Sequence, residues 1–145
     1  LEGGESLPAD AVVWAAGAAA PPFVRASQLP ADAGGFVRVR PTLQVEGRSD
    51  LFAVGDCASL SLADGAPLPK AGVYAVRAGP VLVRNLRSWL RGRPLTGYRP
   101  QREFLSLLNL GDGTAIGSKW GLVVEGRPVM RLKDWIDRRF VRRYL

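Results

Sequence analysis

The 145-residue sequence contains no histidine, one cysteine and one methionine. Without histidine, imidazole acid/base chemistry and His–metal ligation are excluded within these residues. Cys57 on its own can form neither an internal disulfide nor a Cys-based zinc cage. No stretch approaches the ~18 consecutive apolar residues that a membrane-spanning helix needs. Internal repeats and low-complexity tracts are missing too, apart from an Ala-rich stretch at 15–20. The composition, 47% hydrophobic and 23% charged with 17 glycines, is near the globular average. That excludes a disordered, collagen-like or coiled-coil chain, and the length is enough to bury a core.

The net charge of +7 is unevenly placed. Residues 127–145 hold seven Lys/Arg against Asp134 and Asp137, a balance of +5, and the other 126 residues carry only +2. Such a tail suits nucleic acid, anionic lipid or an acidic partner domain, and a solvated face at a chain end explains it equally well. No nucleic-acid recognition motif accompanies it, so nucleic acid ranks last. The sequence begins at Leu1, without Met, and runs almost at once into a strand-like segment. It therefore reads as part of a longer chain.

Along the chain, Asp10–Ala16 (DAVVWAA) is a short apolar run ending at Gly17, the pattern of a buried strand. Residues 36–45 alternate apolar and polar around Pro41, which predicts a strand pair or a bent edge strand. Leu51–Val54 is a second buried-strand signal, closed by Gly55-Asp56. A helix is expected over about 71–91. Arg77, Arg84, Arg87 and Arg91 share one arc of it, Val76, Val83, Leu86 and Leu90 fall largely elsewhere, and Pro80 should kink it. Gly92 and Pro94 end it. Residues 103–132 predict an antiparallel meander with strands at 104–110, 114–118, 122–124 and 128–132. Lys133–Tyr144 has the pattern of a helix, with Trp135, Ile136, Phe140 and Tyr144 on one side. The four tryptophans read as core or interface aromatics.

Three places could carry chemistry. Gly55-Asp56 closes a strand, where open α/β sheets bind their ligands. Glycine there lets backbone approach a ligand, and the carboxylate can accept hydrogen bonds from vicinal hydroxyls. Alternatively, Asp56 caps the turn that follows. The second place is the predicted helix start at Ala71-Gly72, whose free N–H groups and partial positive charge suit a carbonyl or anionic oxygen. Lys70 adds a formal charge beside it, or is simply solvated. The third is Ala15-Ala16-Gly17, whose small side chains permit a close crossing of chains or of a dinucleotide, or tight sheet packing. Cys57 reads as a small buried residue rather than a redox thiol.

Three of these elements stand in the order found in one family. Ala11–Gly17 resembles the strand-end "ATG" motif of two-dinucleotide-binding flavoproteins. Thr42 through Leu51-Phe52-Ala53-Val54-Gly55-Asp56-Cys57-Ala58 resembles their second FAD motif, and Lys70–Gly79 resembles the helix that meets the flavin ring. Leu107–Gly117 is similar to the sheet that follows in type II NADH dehydrogenases. Asp134–Phe140 is similar to the end of a subgroup often fused to selenide, water dikinase.

The resemblance implies an α/β fold, part of a two-dinucleotide-binding-domain flavoprotein with a C-terminal antiparallel sheet and terminal helix. Residues 1–98 would be the C-terminal part of the NAD(P)/FAD-binding region, and 99–145 a small interface domain. It implies FAD as cofactor, NAD(P)H as substrate, and electron transfer to a quinone or another acceptor. Asp56 would bind ribityl or ribose hydroxyls, and Gly55 would approach the pyrophosphate. Lys70, Ala71, Gly72 and Val73 would belong to the cofactor site, with the N–H groups of Gly72 and Val73 facing the pyrimidine carbonyl of the flavin, and Ala16 and Gly17 would lie at the junction of the FAD and NAD(P) regions. The GxGxxG turns of the family and its redox CxxC are absent from these residues, so a separate chain of this length should be catalytically incompetent. Many quinone-reducing members carry Gln where this chain has Val73, which leaves the acceptor open. No catalytic residue and no metal ligand is expected here. The implied partners are the upstream half of the same protein, a second copy or a fused kinase domain. The implied location is cytoplasmic, with peripheral contact at the inner membrane face. A different class of function also fits the residues: a non-catalytic interaction or dimerisation module that docks a partner through the basic tail.

Overall fold

The computed structural model describes residues 6, 8–13, 17–143 and 145. The chain is α/β and divides into two compact units, residues 1–99 and 100–145.

The first unit is built around a short parallel pair. Helix α1 spans Pro22–Ala26, started by Pro21-Pro22, and β1 spans Val37–Val39. A 3-10 turn at Gly55–Cys57 leads into β2, Ala58–Leu60, which pairs with β1 in parallel, Val37 opposite Ala58. Helix α2 runs from Gly72 to Trp89. It continues through Pro80, whose missing N–H frees the Val76 carbonyl. Val76 lies on an exposed side of the helix, where water can take that bond. The helix stops where Gly92 turns left-handed, φ +62°, with Arg93 N–H bonded to Ser88 O at 2.8 Å and Gly92 N–H to Trp89 O at 3.0 Å. That is the glycine-terminated pattern expected of a helix end. The core is Val24, Val37, Val39, Leu43, Val45, Leu60, Ala78 and Tyr98, so α2 packs on the parallel pair through the side that carries Ala78.

Several expectations are corrected here. The described part of the predicted first strand, Asp10–Val13, is not in a strand, and Val12 and Val13 are 80% and 89% exposed. Among the described residues no strand pairs with it, and an apolar run without a ladder partner has nothing to hold it extended. Trp14–Ala16 lie outside the described residues. Leu51–Val54 is half-buried and bridged only at Phe52, because its bonds to the 43–45 segment are limited to Val45 N–H to Leu51 O and Ala53 N–H to Leu43 O. The strand that pairs in parallel is β2, directly after the GD turn. In α2 the buried residues are Tyr74, Ala78 and Asn85, whereas Val76, Val83 and Leu86, and Leu90 just past its end, are exposed.

The second unit is an antiparallel three-stranded sheet with one helix. Strands β3 (Ser106–Asn109), β4 (Ala115–Lys119) and β5 (Leu122–Gly126) follow in order. Helix α3 spans Arg127–Val141. The expected fourth strand at 128–132 is therefore the first turns of α3. Gly126 at φ +133° breaks the strand, and Pro128 in the first turn presets helical φ while lacking an N–H that would be unpaired there anyway. Tyr144 lies outside the described residues. Trp89, Trp120 and Trp135 are 40–70% exposed, so the three described tryptophans are not core residues.

Candidate functional site

The sequence places its strongest signals at Gly55-Asp56 and at Ala71–Val73, and the structure brings these two together. Gly55 adopts φ +76°, a conformation that favours glycine, and a Cβ built on it would stand 3.6 Å from the Cβ of Ala75 in the first turn of α2. The 3-10 turn thus meets the helix N-terminus. Asp56 is exposed, and its carboxylate takes no hydrogen bond from the described residues. It does not cap the turn, since Val54 stands at the cap position without a side-chain bond.

The helix mouth is open. Ala71 occupies the N-cap in extended conformation and has no side chain able to cap. Tyr74 N–H bonds to Ala71 O at 3.0 Å, while the N–H groups of Gly72 and Val73 have no partner among the described residues. Free donors and the positive end of the helix dipole thus stand next to the turn that carries Asp56.

Lys70 does not stand at that mouth as a solvated charge. Its ammonium donates to Ala58 O and lies 4.0 Å over the centre of the Phe36 ring. Burial pulls its pKa below the usual lysine value, against the opposing fields of Asp32, Asp56 and Cys57. Burial also pushes Asp32 up, but bonds from the Ser59 hydroxyl and the Phe36 and Gly34 N–H groups, with the Lys70 charge, outweigh it and hold the carboxyl below its ordinary range. Cys57 is half-buried, and its thiol donates to Val54 O at 3.3 Å. Gly17 is exposed, with nothing within 4 Å of a Cβ built there, and it joins no other site residue; Ala16 lies outside the described residues.

An apolar cleft runs beneath the turn and the helix mouth, lined among others by Leu43, Val54, Tyr74 and Tyr98. Tyr98 closes it, donating its hydroxyl to Tyr74 O at 3.3 Å. Sequence reasoning missed Asp32, Phe36 and Tyr98. Each reaches the site from a distant stretch of chain, and none sits in a motif. Among the described residues no group of His, Cys, Asp and Glu could hold a metal ion.

The structure thus sets an exposed carboxylate near two free N–H donors on an α/β scaffold. The chain belongs to the pyridine nucleotide-disulphide oxidoreductase family, whose profile matches residues 1–79. It is 34% identical over 122 residues to demethylphylloquinone reductase NdbB of Synechocystis sp., covering 83% of this chain and 30% of that protein. It is 31% identical over 139 residues to a type II NADH:quinone oxidoreductase of Haemophilus influenzae, covering 87% and 30%. Against the enzyme of the same name from Staphylococcus saprophyticus it is 28% identical over 146 residues, covering 94% and 34%. The chain thus spans about a third of the length of these curated relatives.

Proposed function

We propose that this chain supplies the second FAD-binding segment of an NAD(P)H-oxidising flavoprotein that reduces a quinone. The observation that carries this reading is the packing of the Gly55-Asp56 turn on the uncapped N-terminus of α2, in a chain of this family. The relatives' names supply NADH as donor and a quinone as acceptor. FAD held by these residues would supply the chemistry of hydride acceptance and onward electron transfer.

The residues present fit such a group. Asp56, with no competing donor, accepts bonds from ribityl or ribose hydroxyls. Gly55 lets the backbone come close to the pyrophosphate. The N–H groups of Gly72 and Val73, with Ala71 too small to obstruct them, stabilise negative charge on a flavin carbonyl. Binding and orientation are this chain's part; Ala16 and Gly17 would border the NAD(P) region. The division of labour follows the expected regions, 1–98 for nucleotide binding and 99–145 for contact with the upstream half of the protein, a second copy or a fused domain.

Among the described residues no helix is long and apolar enough to cross a membrane. The exposed Leu132 and Trp135 of α3, set among arginines, support peripheral contact with an anionic membrane face.

The test is FAD titration of the polypeptide that carries this chain, with and without Asp56→Ala. A hydrogen bond to a charged group is worth about 1.5–3 kcal/mol, so the variant should hold FAD roughly 10- to 100-fold more weakly. Equal affinity in both proteins would remove Asp56 from the site.

A further inference from the structure

Lys70 poses a question that its position alone does not answer. A cation two residues before a helix faces the positive end of the dipole, which opposes it. The ammonium is nevertheless drawn inward, onto Ala58 O and the Phe36 ring.

The surrounding bonds show what this does. Leu68 N–H bonds to Leu60 O at 2.7 Å, and Ser61 bridges Pro67 antiparallel. Extending that register outward sets residue 70 opposite Ala58. There the backbone bond of an antiparallel ladder is replaced by the lysine side chain, which reaches Ala58 O in its place. Ala58 directly follows the Gly55–Cys57 turn, and Lys70 directly precedes the Ala71 cap. One ammonium therefore ties the end of the turn to the mouth of the helix. Its own place is fixed in turn: Asp32 bonds Phe36 N–H at 3.0 Å and takes the Ser59 hydroxyl, so the ring under the ammonium and the strand that accepts from it share one carboxylate.

We infer that Lys70 is a positioning residue of the FAD site: by clamping Ala58 it sets the separation between Asp56 and the free N–H groups of Gly72 and Val73. The inference rests on the FAD reading above. On this inference Lys70 acts through the Ala58 backbone, where its ammonium is already engaged, rather than by a bond to the flavin. It differs from a charge placed beside the cofactor because its effect must run through Asp56 and the helix mouth together.

The experiment is a double-mutant cycle on FAD affinity in the whole polypeptide that carries this chain, read by quenching of flavin fluorescence. Lys70→Met keeps the aliphatic stem and removes the donor. Lys70→Arg keeps both donor and charge. Lys70→Met should weaken FAD binding about tenfold, and Lys70→Arg should restore it to within about threefold of wild type. In an Asp56→Ala background, Lys70→Met should add less than about threefold, because the partner it positions is gone. Wild-type affinity in Lys70→Met, or effects of the two substitutions that multiply in full, overturns the positioning role and leaves the FAD reading standing. A wild-type protein that takes up no FAD overturns both. Circular dichroism monitors folding, and Lys70→Gln, a neutral donor too short to span the gap, replaces Lys70→Met if that variant unfolds; affinity retained in Lys70→Gln counts against the clamp.

Discussion

Asn85 makes three side-chain hydrogen bonds in the first unit, although its sequence context says nothing of it. It is fully buried in α2. Its Nδ2 donates to Thr42 O at 2.9 Å and Thr96 O at 2.8 Å, and its Oδ1 accepts from Thr96 N–H at 2.8 Å. One amide thus holds the helix, the turn before the 43–45 segment, and the chain that returns after the helix. Tyr98 N–H, bonded to Pro41 O at 2.7 Å, continues the same seam. Asn85→Ala leaves two carbonyls and one N–H without partners, and a buried unsatisfied group costs about 1–3 kcal/mol. The substitution should lower stability by at least about 3 kcal/mol in urea unfolding of the first unit. A loss below about 1 kcal/mol would mean that water replaces the amide at no cost. On a helical wheel position 85 falls beside Tyr74, Ala78 and Leu82, yet an asparagine reads as a solvated residue because periodicity ranks residues by polarity, while the seam depends on chain segments 43 and 11 residues away. Gly55 and Asp56 were legible because a glycine followed by a carboxylate at the end of an apolar run is a local pattern. Phe36 and Asp32 were not, since their link to Lys70 exists only once β1 and β2 have paired.

At the scale of elements, punctuation was read better than faces. Gly92 ends α2 and Gly111-Asp112-Gly113 turns β3 into β4, with Asp112 accepting from both the N–H and the hydroxyl of Thr114 at 2.9 and 2.6 Å. The apolar stripe of α2 gave the helix its period but not its orientation, because small residues such as Ala78 pack the helix closest to the sheet. Strand β2 is three residues long and follows a turn directly, too short for any alternation to register. The β4–α3 contact depends on another small residue. Gly117 is buried, and a Cβ there would lie 3.1 Å from Val129 Cγ1 and 3.2 Å from Leu107 Cδ2. Both contacts are tighter than ordinary van der Waals distance, so the Val129 and Leu107 side chains must each give by a few tenths of an ångström within a packed helix–sheet contact. Gly117→Ala should therefore destabilise the second unit by about 1–3 kcal/mol, despite the gain in strand propensity. Chemical unfolding followed by Trp120 and Trp135 fluorescence measures it, and a stabilised variant would show that α3 can shift freely on the sheet.

At the scale of the whole molecule, charge is the property that composition states most plainly, and the structure shows how it is spent on α3. Lys133 pairs with Asp137 at 2.5 Å and Arg138 with Asp134 at 2.9 Å, which uses up both acidic residues of the helix. Arg139 stacks 5.7 Å from the Trp135 ring, and Arg139, Arg142 and Arg143 have no ion pair among the described residues. Leu132 and Trp135 are exposed beside them. An apolar residue pair that can enter the acyl boundary, ringed by guanidinium groups at headgroup height, is the arrangement of an interfacial helix. Each arginine near an anionic surface contributes about 1 kcal/mol, so replacing Arg139, Arg142 and Arg143 by Gln should weaken binding roughly a hundredfold. Sedimentation with vesicles of mixed phosphatidylserine and phosphatidylcholine measures this, with pure phosphatidylcholine as the comparison. Binding should fall steeply as salt shortens the Debye length, and the emission of Trp135 should shift to the blue in the bound state. Equal binding to neutral vesicles would assign the helix to apolar contact alone. If neither vesicle type binds, the arginines are a solvated face, and the contact proposed for the membrane belongs to another surface of the polypeptide.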